Sequence, residues 1–167
     1  MHDKADITIN ERNWAAIAHA STLLSIIVGL ASAGLGSILL ALVPLGIYLA
    51  FKDRSRYVAF HALQATTLQL TALIVYALGL IALLVATVVA WVVSGLLSVV
   101  LIGVLLIPVA LLVTLLFLAF LLLFPLVVIG YALYAAVETG RGIDFHYVWI
   151  GAWLDEIEAS WHQVPVQ

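Results

Sequence analysis

The chain contains no cysteine, which excludes disulfides, thiol redox chemistry and thiolate metal sites. Charge is nearly as scarce. Only 9% of the 167 residues are charged, against roughly 25% in a soluble domain, so the chain reads as an integral membrane protein and not as a soluble domain carrying an anchor. The 6 Lys and Arg are outnumbered by 9 Asp and Glu, for a net charge of −3, and the basic footprint of a nucleic-acid binder is missing. There is no HExxH, no glycine-rich phosphate loop, and no Ser or Cys nucleophile beside a base. The long apolar interior carries no carboxylate or lysine of the kind a proton-coupled carrier uses. No enzyme, no metal centre and no ion-coupled transporter is expected.

What the chain has instead is oil: 66% of its residues are hydrophobic and its mean hydropathy is +1.25. Half of all its basic residues, Lys52, Arg54 and Arg56, fall within one short loop. Uncharged runs leave that loop on both sides, over 13–51 and 57–137. A basic turn between two long apolar segments is the cytoplasmic loop of a multi-pass membrane protein.

Taken in order, 1–13 is a polar cytoplasmic N-terminus in which Ile7 and Ile9, with Trp14, can lie along the membrane surface. The apolar run 14–33 lacks a compact basic n-region and is followed at once by another, so it is expected to be a retained first helix and not a signal peptide. Ser21, Ser25, Gly29 and Ala33 recur along it every four residues, a small-residue seam that lets a second backbone approach. Gly34 and Gly36 break it, and 37–51 is short for a span and contains Pro44. The uncharged residues 57–137 exceed two ordinary spans of ~20 residues. Two long tilted helices, two helices around a buried break, or four short spans would each use them. The breakers cluster at Ser94, Gly95, Ser98, Gly103 and Pro108, which suggests helices over 57–93 and 108–137, the second kinked at Pro125. The tail 138–167 is polar again, and over 146–161 it reads as an amphipathic helix with Trp153, Leu154, Ile157 and Trp161 on its apolar face.

Several stretches resemble a known family: Ala18-His19-Ala20-Ser21, Pro44-Leu45-Gly46-Ile47-Tyr48-Leu49, Lys52-Asp53-Arg54-Ser55 and Val58-Ala59-Phe60-His61-Ala62-Leu63-Gln64-Ala65. They are similar to small bacterial four-helix membrane proteins of unknown function, related to the channel-like subunit of the chloroplast inner-envelope translocon. The ending Gly142-Ile143-Asp144-Phe145-His146-Tyr147-Val148-Trp149 resembles that family's closing motif, which usually carries a proline where this chain has Val148. The resemblance implies a four-span bundle with both ends cytoplasmic, and it brings no catalytic residue.

The candidate site residues lie near the cytoplasmic ends. Tyr57, His61, Gln64 and Thr71 share about 80° of one helical face, and His19 sits at a matching depth on the first helix. Two histidines at equal depth are candidate ligands for a haem or a chlorophyll-type pigment. The plainer reading, preferred here, is that they hydrogen-bond across helices. His19, Ser21, Ser25, Gly29, His61 and Gln64 are the expected packing and polar cluster, with His61 and Gln64 pinning their helix to the first helix or to the 142–147 turn. Gln69 falls on the opposite side of the helix and needs another partner or a subunit. Trp14, Trp149, Trp153 and Trp161 are the expected interfacial anchors. Asp53, Arg54, Arg56, Glu138, Arg141 and Asp144 gather at one end and set topology.

The fold class that follows is an all-α integral membrane protein, a four-helix transmembrane bundle over 14–137 with a C-terminal amphipathic interfacial helix. It is placed in the bacterial inner membrane, multi-pass, with both termini cytoplasmic. Its expected partners are the lipid bilayer and other integral membrane subunits or copies of itself, with no nucleic acid and no cofactor. An accessory or assembly subunit of a larger complex is the leading function, and a translocon-like or small-solute channel formed by an oligomer is the alternative.

Overall fold

The computed structural model describes residues 7–32, 35–148, 150–153 and 156, and every element among them is helical. They fall into two compact units, Met1–Thr71 with Ile129–Gln167, and Ala72–Val128.

In the first unit, helix α1 spans Ile9–Ala31 and so begins five residues before Trp14. The cause is local. Thr8 Oγ1 accepts from the Glu11 backbone N–H at 3.2 Å, and Glu11 Oε2 accepts from the Thr8 N–H at 2.8 Å, a reciprocal capping box. The next apolar stretch is interrupted: α2 spans Leu35–Leu40 and α3 spans Leu42–Phe51. Pro44 accounts for the break, because its ring would meet the carbonyl of Leu40 in a continuous helix. Starting α3 at Leu42 puts Pro44 in a first turn, where its missing N–H costs nothing.

Helix α4 spans Arg56–Leu97. Ser55 caps it by accepting from the Val58 N–H at 3.3 Å, and the same hydroxyl donates to Glu11 Oε1 at 2.6 Å. One carboxylate thereby serves the starts of α1 and α4. Helix α5, Ile102–Gly140, closes with Gly142 at φ 78°. The Ile143 N–H reaches Glu138 O at 3.0 Å and the Gly142 N–H reaches Thr139 O at 2.9 Å, the paired bonds of a Schellman end that needs the left-handed conformation glycine provides. Tyr57 Oη donates to the Thr139 carbonyl at 3.1 Å, tying that helix end to α4.

Two small cores result. Ala15 and Ala18 of α1 meet Ile47 of α3 and Tyr57, Val58, Ala62 and Ala65 of α4. Leu68 of α4 meets Ala132 and Ala135 of α5 and Tyr147 beyond it. Alanine at these positions lets backbones approach where lipid supplies no hydrophobic drive.

The second unit is a helical hairpin. A single 3-10 turn, Ser98–Val100, joins α4 to α5, and Leu101 completes it in the left-handed region at φ 64°, a conformation costing a non-glycine residue ~1–2 kcal/mol. A side chain at Gly103 would run into the Ser94 carbonyl and the Ser98 backbone, so only glycine permits this closeness. Tyr76, Phe120 and Phe124 stack with ring centroids 5.1 to 5.7 Å apart, and Trp91 Nε1 donates to Thr114 Oγ1 at 3.0 Å. The turn lies inside the expected cluster of breakers, yet the helices run to Leu97 and from Ile102, and α5 continues through both Pro108 and Pro125. By length and composition α4 and α5 each suffice to cross a bilayer.

Candidate functional site

The polar side chains of the first unit converge on the segment that follows α5. His19 Nδ1 lies 3.0 Å from Tyr147 Oη, and His19 Nε2 lies 3.3 Å from His61 Nδ1. His61 Nε2 in turn stands 3.5 Å from Asp144 Oδ1, an ion-pair separation without the alignment of a hydrogen bond. His19 and His61 are fully buried, whereas Asp144 is half exposed. Beside this chain Gln64 uses its whole amide: Nε2 donates to the Phe145 carbonyl at 3.2 Å, and Oε1 accepts from the Tyr147 N–H at 3.1 Å.

Proton accounting gives the chain a direction. An imidazole Nε2 facing a carboxylate is favourable only as N–H, so His61 Nδ1 must accept. His19 then donates through Nε2 and accepts through Nδ1, which makes the Tyr147 hydroxyl the donor at the far end. One proton sits in each gap. The two outer members suit these roles. Tyr147 is held above the ordinary phenol range by burial and then by Tyr131, so it keeps its proton. Asp144 is held below the ordinary carboxyl range by the adjoining His61, against an opposing effect of burial, so it stays an anion.

A second cluster lies a turn and a half further along α4. Gln69 Nε2 donates to Ser21 Oγ and Thr22 Oγ1, both at 3.1 Å, and Gln69 Oε1 accepts from Ser25 Oγ at 2.9 Å. The partner that Gln69 needs is thus within the same chain. Ser37 Oγ donates to the Ser25 carbonyl at 2.9 Å, and Gly29 abuts that same Ser37. Hence Ser21 and Ser25 of the small-residue seam face α4, and Gly29 faces α2, whereas Ala33 lies outside the described residues.

Trp14 packs on Phe51 with ring centroids 5.4 Å apart, and Trp153 is exposed, in a helical stretch over 150–153. Trp149, Trp161 and most of the expected amphipathic helix lie outside the described residues. Among the charged groups, Arg141 and Glu138 pair at 3.4 Å, an exposed contact of the kind that contributes ~0–1 kcal/mol.

Tyr147 and Asp144 are the members the sequence reading did not join to the histidines. The signal for Asp144 was its place beside the Gly142 turn; Tyr147 had none beyond the family motif. At Val148 the departure from that motif has a local counterpart, because the Val148 N–H donates to Tyr131 Oη at 3.2 Å, a bond that proline has no donor to make.

A haem iron or a chlorophyll magnesium needs a ring nitrogen turned to open space. In this structure the four nitrogens of His19 and His61 face protein atoms at 3.0 to 3.5 Å. The described residues contain no group of three or more His, Asp or Glu side chains placed to hold a metal ion.

Compared with known proteins, residues 10–154 match the MamF/MmsF model, described as the magnetosome magnetite crystal formation protein family. The match is to a bacterial membrane-associated family, and no link to the chloroplast translocon subunit is shown. No curated protein and no solved structure matches the chain.

Proposed function

Because the chain belongs to the magnetosome magnetite crystal formation protein family, we propose that it serves crystal formation as a non-catalytic, multi-pass accessory or assembly subunit of a larger complex in the magnetosome membrane. One observation carries this reading: the buried polar side chains of α1 and α4 are turned onto other parts of the same chain and fasten helices. The buried histidines His19 and His61 and the buried glutamines Gln64 and Gln69 face protein partners in the same chain. A site built for chemistry would instead present polar groups to a cavity.

In this reading the chain is a multi-pass membrane protein, and Trp153 lies on the cytoplasmic surface. The basic residues Lys52, Arg54 and Arg56 and the acidic and basic residues of 138–144 then share one side. Reporter fusions at either terminus and at Asp53 should all report cytoplasm; a far-side signal at one terminus alone would refute the topology.

The functional test is retention of partners. Solubilised in mild detergent from magnetosome membranes, the tagged chain should carry with it a stoichiometric integral membrane subunit. The Gln64→Leu variant, which loses the grip on 145–147, should retain less of that subunit. Voltage-independent conductance in planar bilayers, with no co-purifying partner, would sink the accessory reading in favour of an oligomeric channel.

A further inference from the structure

The hairpin Ala72–Val128 presents apolar surface along both arms and around its turn. Val99, Leu101, Leu105 and Leu96 are 88%, 76%, 77% and 71% exposed. No charged residue occurs anywhere in 57–137. A helical hairpin whose tip stands in water ordinarily turns on glycine, asparagine or other polar residues. This one turns on Leu101 in a left-handed conformation, so an apolar side chain is kept where glycine or asparagine would be unstrained.

The serine hydroxyl at the tip is turned back onto its own helix. Ser98 Oγ donates back to the Ser94 carbonyl at 2.7 Å, and Ser94 is 3% exposed. The Leu101 N–H bonds Ser98 O at 3.0 Å and the Val104 N–H bonds Leu101 O at 3.3 Å, two internal bonds across the turn. Internal bonds of this kind are what hydrocarbon demands and water does not.

We infer that the turn 98–101 lies in the acyl-chain region of the bilayer, so that 72–128 is a re-entrant hairpin exposing no loop on the far side. Its occupant surface is lipid acyl chain. Re-entry leaves the two termini on the same side, as crossing and returning would.

The absence of cysteine makes the test clean. Val99→Cys and Leu101→Cys, each labelled with an environment-sensitive nitrobenzoxadiazole probe and reconstituted into phosphatidylcholine–phosphatidylglycerol vesicles, should be quenched by doxyl groups placed on the acyl chains. Iodide should quench them less than one tenth as well as it quenches the same probe at Asp53→Cys, an exposed loop position. Quenching of the tip probes by iodide at the Asp53 level would overturn the inference by placing the turn in water. Protection from both quenchers would overturn it too, by assigning the tip to a second copy. If Leu101→Cys disturbs the strained turn, Val99→Cys and Leu105→Cys carry the test alone. Loss of partner retention without any change in quenching would count against the accessory role and not against the re-entrant hairpin.

Discussion

Gln64 places both ends of its amide on one short segment, and this makes it the residue whose loss should be felt most. In Gln64→Leu the Phe145 carbonyl and the Tyr147 N–H lose their partner together, at a cost of ~1–3 kcal/mol for buried groups left unsatisfied. Thermal unfolding in detergent should show that loss, and an unchanged midpoint would contradict the fastening role. Acid should act through Asp144. Its folded carboxyl binds a proton less readily than the unfolded one, because His61 adjoins it. The stabilisation is therefore complete above the ordinary Asp value of about 4 and disappears as pH falls through the lower folded value. Melting curves from pH 6 to pH 3 should fall more steeply for the wild type than for Asp144→Asn. His61 and Gln64 were legible in the sequence because polar groups in an oily helix must find partners, and the 142–147 turn was one candidate. Tyr147 was not, since a buried phenol and an interfacial one look the same in a sequence.

Helix ends divide the same way. Where the ends carry chemistry they can be read: Thr8 and Glu11 spell a capping box, and Gly142 spells the Schellman end of α5. The expected start at Trp14 rested on the apolar run alone and passed over that box. The junction of α4 and α5 lacked such a signal, because in an unbroken apolar run no periodicity marks a boundary, and no residue type announces a leucine with positive φ. Gly103 gives the most direct test of that junction. Gly103→Val would drive a branched side chain into the Ser94 carbonyl, and overpacking of this kind costs ~1–3 kcal/mol. Reduced yield of folded protein on size exclusion is the expected outcome. Gly95→Val, at a glycine with open space around it, should be tolerated.

The class of the molecule was legible from composition alone, since so little charge and so much aliphatic surface leave few alternatives to a membrane. The way its parts are fastened was not, because a four-residue seam says that a neighbour is close without saying which one. Ser21 and Ser25 meet α4 while Gly29 meets α2, and spacing alone does not separate these. The uncharged stretch 57–137 has one more physical meaning. A membrane voltage acts on charge, at ~2.3 kcal/mol per elementary charge for each 100 mV crossed, and this stretch contains no Asp, Glu, Lys or Arg for it to act on. Stepping the potential by 100 mV across vesicles carrying the probe at Val99→Cys should leave its fluorescence unchanged. An energised membrane then has no electrical handle on the hairpin, which holds the same position whether the membrane is polarised or at rest.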